Sequence, residues 1–302
     1  MKDAPADAAS IPVPDAQRST TAGDYWSLTK PRLNFLVVAT SAAGYYLGAT
    51  SAIDRVSMTE AVVGTALVAA GAAALNQLYE RDTDALMRRT RNRPLPAGRI
   101  TPGDARLFGF ALTAAGRALL AALANWLSAS LALATVLTYL VIYTPMKRRT
   151  PLSTILGAVP GALPALIGWA ASRGRIDLSG AALFAIVFCW QLPHFMAIAW
   201  LYREDYGLAG FPMLPVIDPE GRRAGKQAVY WAFLMVLASV VPAFSGLAGT
   251  VYLAIALVMG VALFALAVRF LLTRNESTAR ALFYGSITYL PLLWIAMIAN
   301  KR

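Results

Sequence analysis

Apolar residues in this chain fall in long blocks, and nine such blocks can be marked. They cover residues 33–51, 58–79, 105–123, 127–145, 152–171, 178–201, 226–246, 250–273 and 281–299. Each is long enough as an α-helix to cross a hydrocarbon layer of about 30 Å. The short alternating segments that build a transmembrane β-barrel are absent. The pattern predicts an all-α polytopic membrane protein with nine transmembrane helices.

Composition strengthens this reading: 58% of the residues are hydrophobic and only 14% are charged. A soluble domain carries roughly 25% charged residues. The net charge of +11 sits in the loops between apolar blocks, so it reads as topology and not as nucleic-acid binding. Of the 27 Lys and Arg, 21 fall on one side of the expected membrane and five on the other. That bias predicts a cytoplasmic N-terminus and an external C-terminus, which suits an odd number of spans and a bacterial cell inner membrane. Arg117 lies within the third span and is read as snorkelling towards the outer end near Asn125. The lone Cys189 excludes an intrachain disulfide. Residues 1–24 are rich in Ala, Pro, Asp and Ser, with no apolar core. They are expected to form a disordered tail, neither a signal peptide nor a transit peptide, ahead of a single transmembrane domain over 25–302.

Two inner loops stand out, from about Glu80 to Ala105 and from about Tyr202 to Gly225. Both begin with charges at the inner end of an even-numbered span, a hint of two related halves. At the first, Asn76, Glu80 and Asp84 are spaced i, i+4 and i+8. On a helix this stacks three oxygen-bearing side chains on one face, about 6 Å apart per step. Such a ladder suits a hard divalent cation that completes its shell with water and phosphate oxygens. Arg88, Arg89, Arg91 and Arg93 follow, and guanidinium groups bind phosphate in a bidentate way. Acids beside arginines read as metal plus diphosphate. The competing reading is a helix end with solvated charges paired to each other. Asn76 weighs against it, because it lies a full turn inside an apolar span.

At the second loop, Tyr202-Arg203-Glu204-Asp205-Tyr206 again places charges at an inner helix end. Between the two, Lys147 and Arg148 close the fourth span and are either diphosphate ligands or topological charges. His194, the only histidine, lies inside the sixth span next to Pro193. The residues alone leave it open whether it is paired to a backbone carbonyl or ligates haem iron or another metal. Pro160, Gly161, Pro164 and Gly168 in the fifth span read as helix packing.

Taken together, Asn76-x-x-x-Glu80-x-Asp82-x-Asp84 and Met87-x-Arg89-Thr90-x-x-Arg93-Pro94-Leu95 resemble the UbiA-type intramembrane prenyltransferase superfamily. Thr29-Lys30-Pro31-Arg32, Tyr143-Thr144 with Lys147-Arg148, Trp190-Gln191-x-Pro193-His194-Phe195 and Tyr202-Arg203-x-Asp205-Tyr206 resemble its haem O synthase (protohaem IX farnesyltransferase) branch. So does Pro212-Met213-Leu214-Pro215, and the likeness covers about residues 28–298. The resemblance implies nine helices around a central cavity, with Mg²⁺, farnesyl diphosphate and haem B as ligands. Haem O and diphosphate would be the products, the haem O passing to a downstream haem A synthase and terminal oxidases. It implies Asn76, Glu80 and Asp84 as metal ligands and, with Asp205 and Tyr206, as catalytic residues. Diphosphate contacts would come from Lys30, Arg32, Arg89, Arg93, Lys147, Arg148 and Arg203. His194 would contact haem. Two departures follow. The superfamily's second acidic motif reads Tyr202 and Tyr206 here, which argues against a second metal, and Glu80 stands where Asp is commoner. Another prenyl acceptor, such as a quinone precursor or chlorophyllide, and a haem-binding or transport protein without chemistry are the alternatives.

Overall fold

The computed structural model describes residues 21–302. Most of the expected tail lies outside these residues. Its last positions carry the start of helix α1 (Ala22–Leu28), capped by Thr21, whose Oγ1 accepts from the Asp24 amide. The other helices are α2 (Pro31–Gly48), α3 (Arg55–Asp84), α4 (Pro102–Ala124), α5 (Trp126–Met146) and α6 (Ser153–Arg173). They continue with α7 (Leu178–Leu201), the short α8 (Arg203–Leu208) and α9 (Leu214–Ile217), then α10 (Arg222–Phe244), α11 (Thr250–Thr273) and α12 (Glu276–Ala299). Among the described residues, eight helices are long and apolar enough to cross a membrane, and the chain is an integral membrane protein. The remaining expected span, the first, corresponds to α2, whose 18 residues include Asn34, Thr40 and Ser41.

Small residues let these helices approach. A Cβ on Gly168 of α6 would collide with the Ser41 carbonyl of α2. One on Gly71 of α3 would collide with Thr113 and the Gly109 carbonyl of α4. Close backbone approach replaces the hydrophobic drive that lipid cannot supply. The largest core, around Trp169, Trp190, Tyr252 and Tyr289, lies between α6, α7, α10, α11 and α12.

Two local features set the site. First, α3 does not stop near residue 79 but continues to Asp84, over 30 residues. At 1.5 Å per residue it exceeds the bilayer core, so its last turns carry polar groups beyond the apolar block. Second, α5 widens into a π-helical stretch at Thr138–Tyr143. Pro145 lacks an N–H, and its ring crowds the carbonyl four residues earlier, which explains the wider turn. At the opposite end of the bundle, Lys301 Nζ donates to the Tyr46 and Ala49 carbonyls, at 2.6 and 2.7 Å, capping the C-terminus of α2.

Candidate active site

The ladder is built as its spacing predicts. Asn76, Glu80 and Asp84 lie on continuous helix and are buried, with Asp84 only 1% exposed. Buried carboxylates need partners, and each rung of this ladder has a different cation. Lys30 Nζ donates to Asn76 Oδ1 at 2.8 Å. Lys147 Nζ lies 3.2 Å from Glu80 Oε1 and 3.4 Å from Oε2. Arg93 Nη1 donates to Asp84 Oδ2 at 2.7 Å. The three cations come from the α1–α2 junction, the end of α5 and the loop after α3.

Each cation is placed by local backbone. Lys30 adopts φ 48°, the left-handed conformation, between α1 and the Pro31 that opens α2. That conformation costs about 1–3 kcal/mol in a residue with a Cβ. Gln77, next to the ladder, offsets it by donating to the Leu28 carbonyl at 2.9 Å. Asp24 of α1 pairs with Arg99 at 2.8 Å, and that hydrogen bond holds the carboxyl below its usual range. Lys30 itself is pulled down to about 8 by burial and by the neighbouring Arg93. The loop after α3 folds back because Thr90 Oγ1 donates to the Asp84 carbonyl at 2.7 Å, which turns Arg93 onto the Asp84 carboxylate. In the wide turn of α5, Thr144 Oγ1 donates to the Tyr139 carbonyl at 2.7 Å and accepts from Asn76 Nδ2 at 3.1 Å. That fixes which end of the Asn76 amide presents oxygen.

The second loop supplies aromatic rings. Lys147 lies over the ring of Phe211 at 4.9 Å and near that of Tyr143 at 5.8 Å. Arg89 stacks on Tyr202 at 5.1 Å, and Tyr206 meets Phe211 edge-on. Met87 packs against Phe211 and Met213, so the two loops form one wall. Tyr202 thus offers its ring face to a cation, while Tyr206 packs on the ring that holds Lys147. Of the other expected residues, Arg32 and Arg148 are exposed and Asp205 is half-buried, none with a side-chain bond to the ladder. Arg203, the first residue of α8, turns back on the end of α7, donating to the Trp200 carbonyl at 2.8 Å and lying over the Trp200 ring. His194 sits in the middle of α7, bonded through Nδ1 to Ser286 Oγ at 2.8 Å. Sequence reading passed over Gln77 and Phe211. The signal for Gln77 was a second amide inside an apolar span; Phe211 is one ring among many and carried none.

Among the described residues no three His, Cys, Asp or Glu side chains gather as a metal cluster. The ladder offers two carboxylates and an amide oxygen. One carboxylate oxygen, Asp84 Oδ1, is sealed from solvent and has no hydrogen-bond partner. A buried anionic oxygen without a partner suits a bound cation. The formal charge of Glu80, Asp84, Lys30, Lys147 and Arg93 together is positive, which favours a polyanion.

Residues 37–295 match the model of the UbiA prenyltransferase family. A protein of Solibacter usitatus described as protoheme IX farnesyltransferase is 44% identical over 287 residues, covering 92% of this chain and 98% of that one. A mitochondrial protein of the same description from Arabidopsis thaliana is 38% identical over 278 residues, covering 92% of this chain and 64% of that one. Among solved structures, a digeranylgeranylglyceryl phosphate synthase superposes with a TM-score of 0.78 at 18% identity, covering 92% of this chain and 97% of that one. A UbiA homologue of Archaeoglobus fulgidus, bound to GPP and Mg²⁺, gives 0.67 at 19% identity over 91% and 99%. The sequence and the fold therefore agree: the chain belongs to the UbiA prenyltransferase family, in its protoheme IX farnesyltransferase branch.

Proposed function

We propose that this enzyme transfers the farnesyl group of farnesyl diphosphate to a vinyl group of haem B, with addition of water, giving haem O and diphosphate. The observation that carries this reading is the buried ladder with a separate cation on each rung. The match to protoheme IX farnesyltransferases supplies the acceptor.

Asn76, Glu80 and Asp84 would hold Mg²⁺, which when bound supplies charge neutralisation at the diphosphate oxygens. Lys30, Lys147 and Arg93 turn from the ladder to the phosphates, and Arg89 joins them from its Tyr202 platform. Their positive charge stabilises the leaving group as the allylic C–O bond breaks. The farnesyl cation so formed is shielded from bulk water by Phe211, Tyr143 and Tyr206, whose ring faces also stabilise positive charge. The vinyl π pair forms the new C–C bond. Water then adds to the carbon left positive, and its proton passes to the released diphosphate. His194 contacts the haem from α7. Arg32, Arg148 and Arg203 line the inner face and act in diphosphate capture, and Asp205 stands beside them as a catalytic carboxylate.

The site faces the cytoplasm of a bacterial inner membrane, with α2 as the first of nine spans, and haem O passes to a haem A synthase. The direct test is purified protein with farnesyl diphosphate and haem B, assayed with and without Mg²⁺. Haem O is read by its mass, and its absence with folded, diphosphate-binding protein overturns the acceptor.

A further inference from the structure

This inference rests on the reading that His194 contacts haem. Ser286 on α12 has no place in the chemistry above, yet it makes the only hydrogen bond of the His194 ring among the described residues. We propose that Ser286 is the positioning residue for haem: its hydroxyl sets the His194 tautomer so that Nε2 presents a bare lone pair to the iron.

The argument is a count of protons. A serine hydroxyl has one hydrogen to donate. Ser286 Oγ lies 2.7 Å from the Phe283 carbonyl and 2.8 Å from His194 Nδ1. If the hydroxyl donates to Nδ1, the contact with Phe283 is lost as a hydrogen bond. If it donates to Phe283, its lone pairs accept from Nδ1–H and both contacts are bonds. The second arrangement keeps two hydrogen bonds where the first keeps one, and in an apolar span each is retained at a premium. It places the imidazole proton on Nδ1 and leaves Nε2 unprotonated. Nε2 bonds to no described residue and is not among the polar atoms sealed inside the fold.

Ring orientation is fixed as well. The imidazole lies nearly parallel to Trp190, with centroids 5.3 Å apart and planes at 16°, and to Phe283 at 5.0 Å and 20°. Trp190, one turn before His194, donates its indole N–H to the Ser286 carbonyl at 2.7 Å. Ser286 therefore grips α7 at two successive turns, through backbone and side chain. A histidine that donates one ring N–H to a fixed acceptor and offers the other nitrogen has the arrangement expected of an iron ligand. A histidine serving only as packing has no need of it.

The test uses the full chain in lipid nanodiscs, titrated with ferric haem B and read by absorbance. The reduced complex is then read by resonance Raman at the iron–histidine stretch. Ser286→Ala is expected to weaken haem binding about tenfold and to lower the stretch, because the imidazole loses its acceptor. Ser286→Thr, which keeps the hydroxyl, restores both. Farnesyl diphosphate binding checks that each variant is folded, and Ser286→Cys, with its weak thiol acceptor, replaces any alanine variant that is not. An intermediate shift in the cysteine variant supports the proposal and none overturns it. A spectrum unchanged in His194→Ala overturns the haem contact and this inference with it. A spectrum altered in His194→Ala but unchanged in Ser286→Ala overturns the role of Ser286 alone.

Discussion

Glu80 and Lys147 show how much depends on single atoms in this site. Glu80 is buried and Lys147 largely so, and neither has another charged partner within bonding distance. Glu80→Gln leaves the Lys147 ammonium uncompensated. The expected cost is about 3–5 kcal/mol of stability, read as a lower melting temperature, with farnesyl transfer lost. Lys30 carries a pH dependence. Burial and Arg93 bring its ammonium down to about 8 in the free protein, and under the proposed function a bound diphosphate would hold it protonated. Diphosphate affinity should therefore be flat below pH 8 and fall up to tenfold per pH unit above it. The folded state holds this proton less tightly than the unfolded chain, so the same group makes stability rise between about pH 8 and 10.5. Calorimetric titration of diphosphate from pH 7 to 9.5 checks the first statement, and Lys30→Arg should flatten the curve. At this scale the sequence was most informative for the ladder, because i, i+4 spacing is a property of any helix. It was least so for Arg203, whose contacts with the Trp200 carbonyl and ring no spacing in the sequence announces.

Elements place these residues, and here proline matters more than hydrophobic pattern. The wide turn of α5 carries Thr144 and Lys147 to the ladder, and Pro145 keeps it wide. Pro145→Ala restores the missing N–H and allows a regular helix, rotating everything beyond it. Transfer activity should fall at least tenfold while thermal stability holds or rises, a split seen by comparing initial rates with the melting temperature. The short α1 makes the complementary case. Asp24→Asn removes the charge that pairs with Arg99, and with it one of the anchors that keep Lys30 on Asn76. The expected result is a several-fold weaker affinity for farnesyl diphosphate with kcat little changed. Neither element was legible beforehand. The apolar block of span four ran to residue 145 without a sign of widening, and α1 fell at the edge of a polar tail where hydrophobic period carries no signal.

For the molecule as a whole, blocks of apolar residues were enough to find the long helices, because lipid demands that backbone groups be satisfied within each one. They could not say which helices touch. That information lies in small residues such as Gly71 and Gly168, whose value appears only when a neighbouring backbone is in place. Gly71→Leu should force α3 from α4 and lower stability by about 1–3 kcal/mol, seen as loss of the monodisperse peak in detergent. The pairing of each ladder rung with its own cation has a consequence at this scale. Under the proposed function the site would work as an ion exchanger. With no substrate bound, lysine and arginine serve as resident counter-ions, so the buried carboxylates never stand bare in the membrane. Loading would swap them for the metal and free them for the phosphates, and product release would swap them back. Each turnover would thus return the carboxylates to their resident partners without help from the solvent.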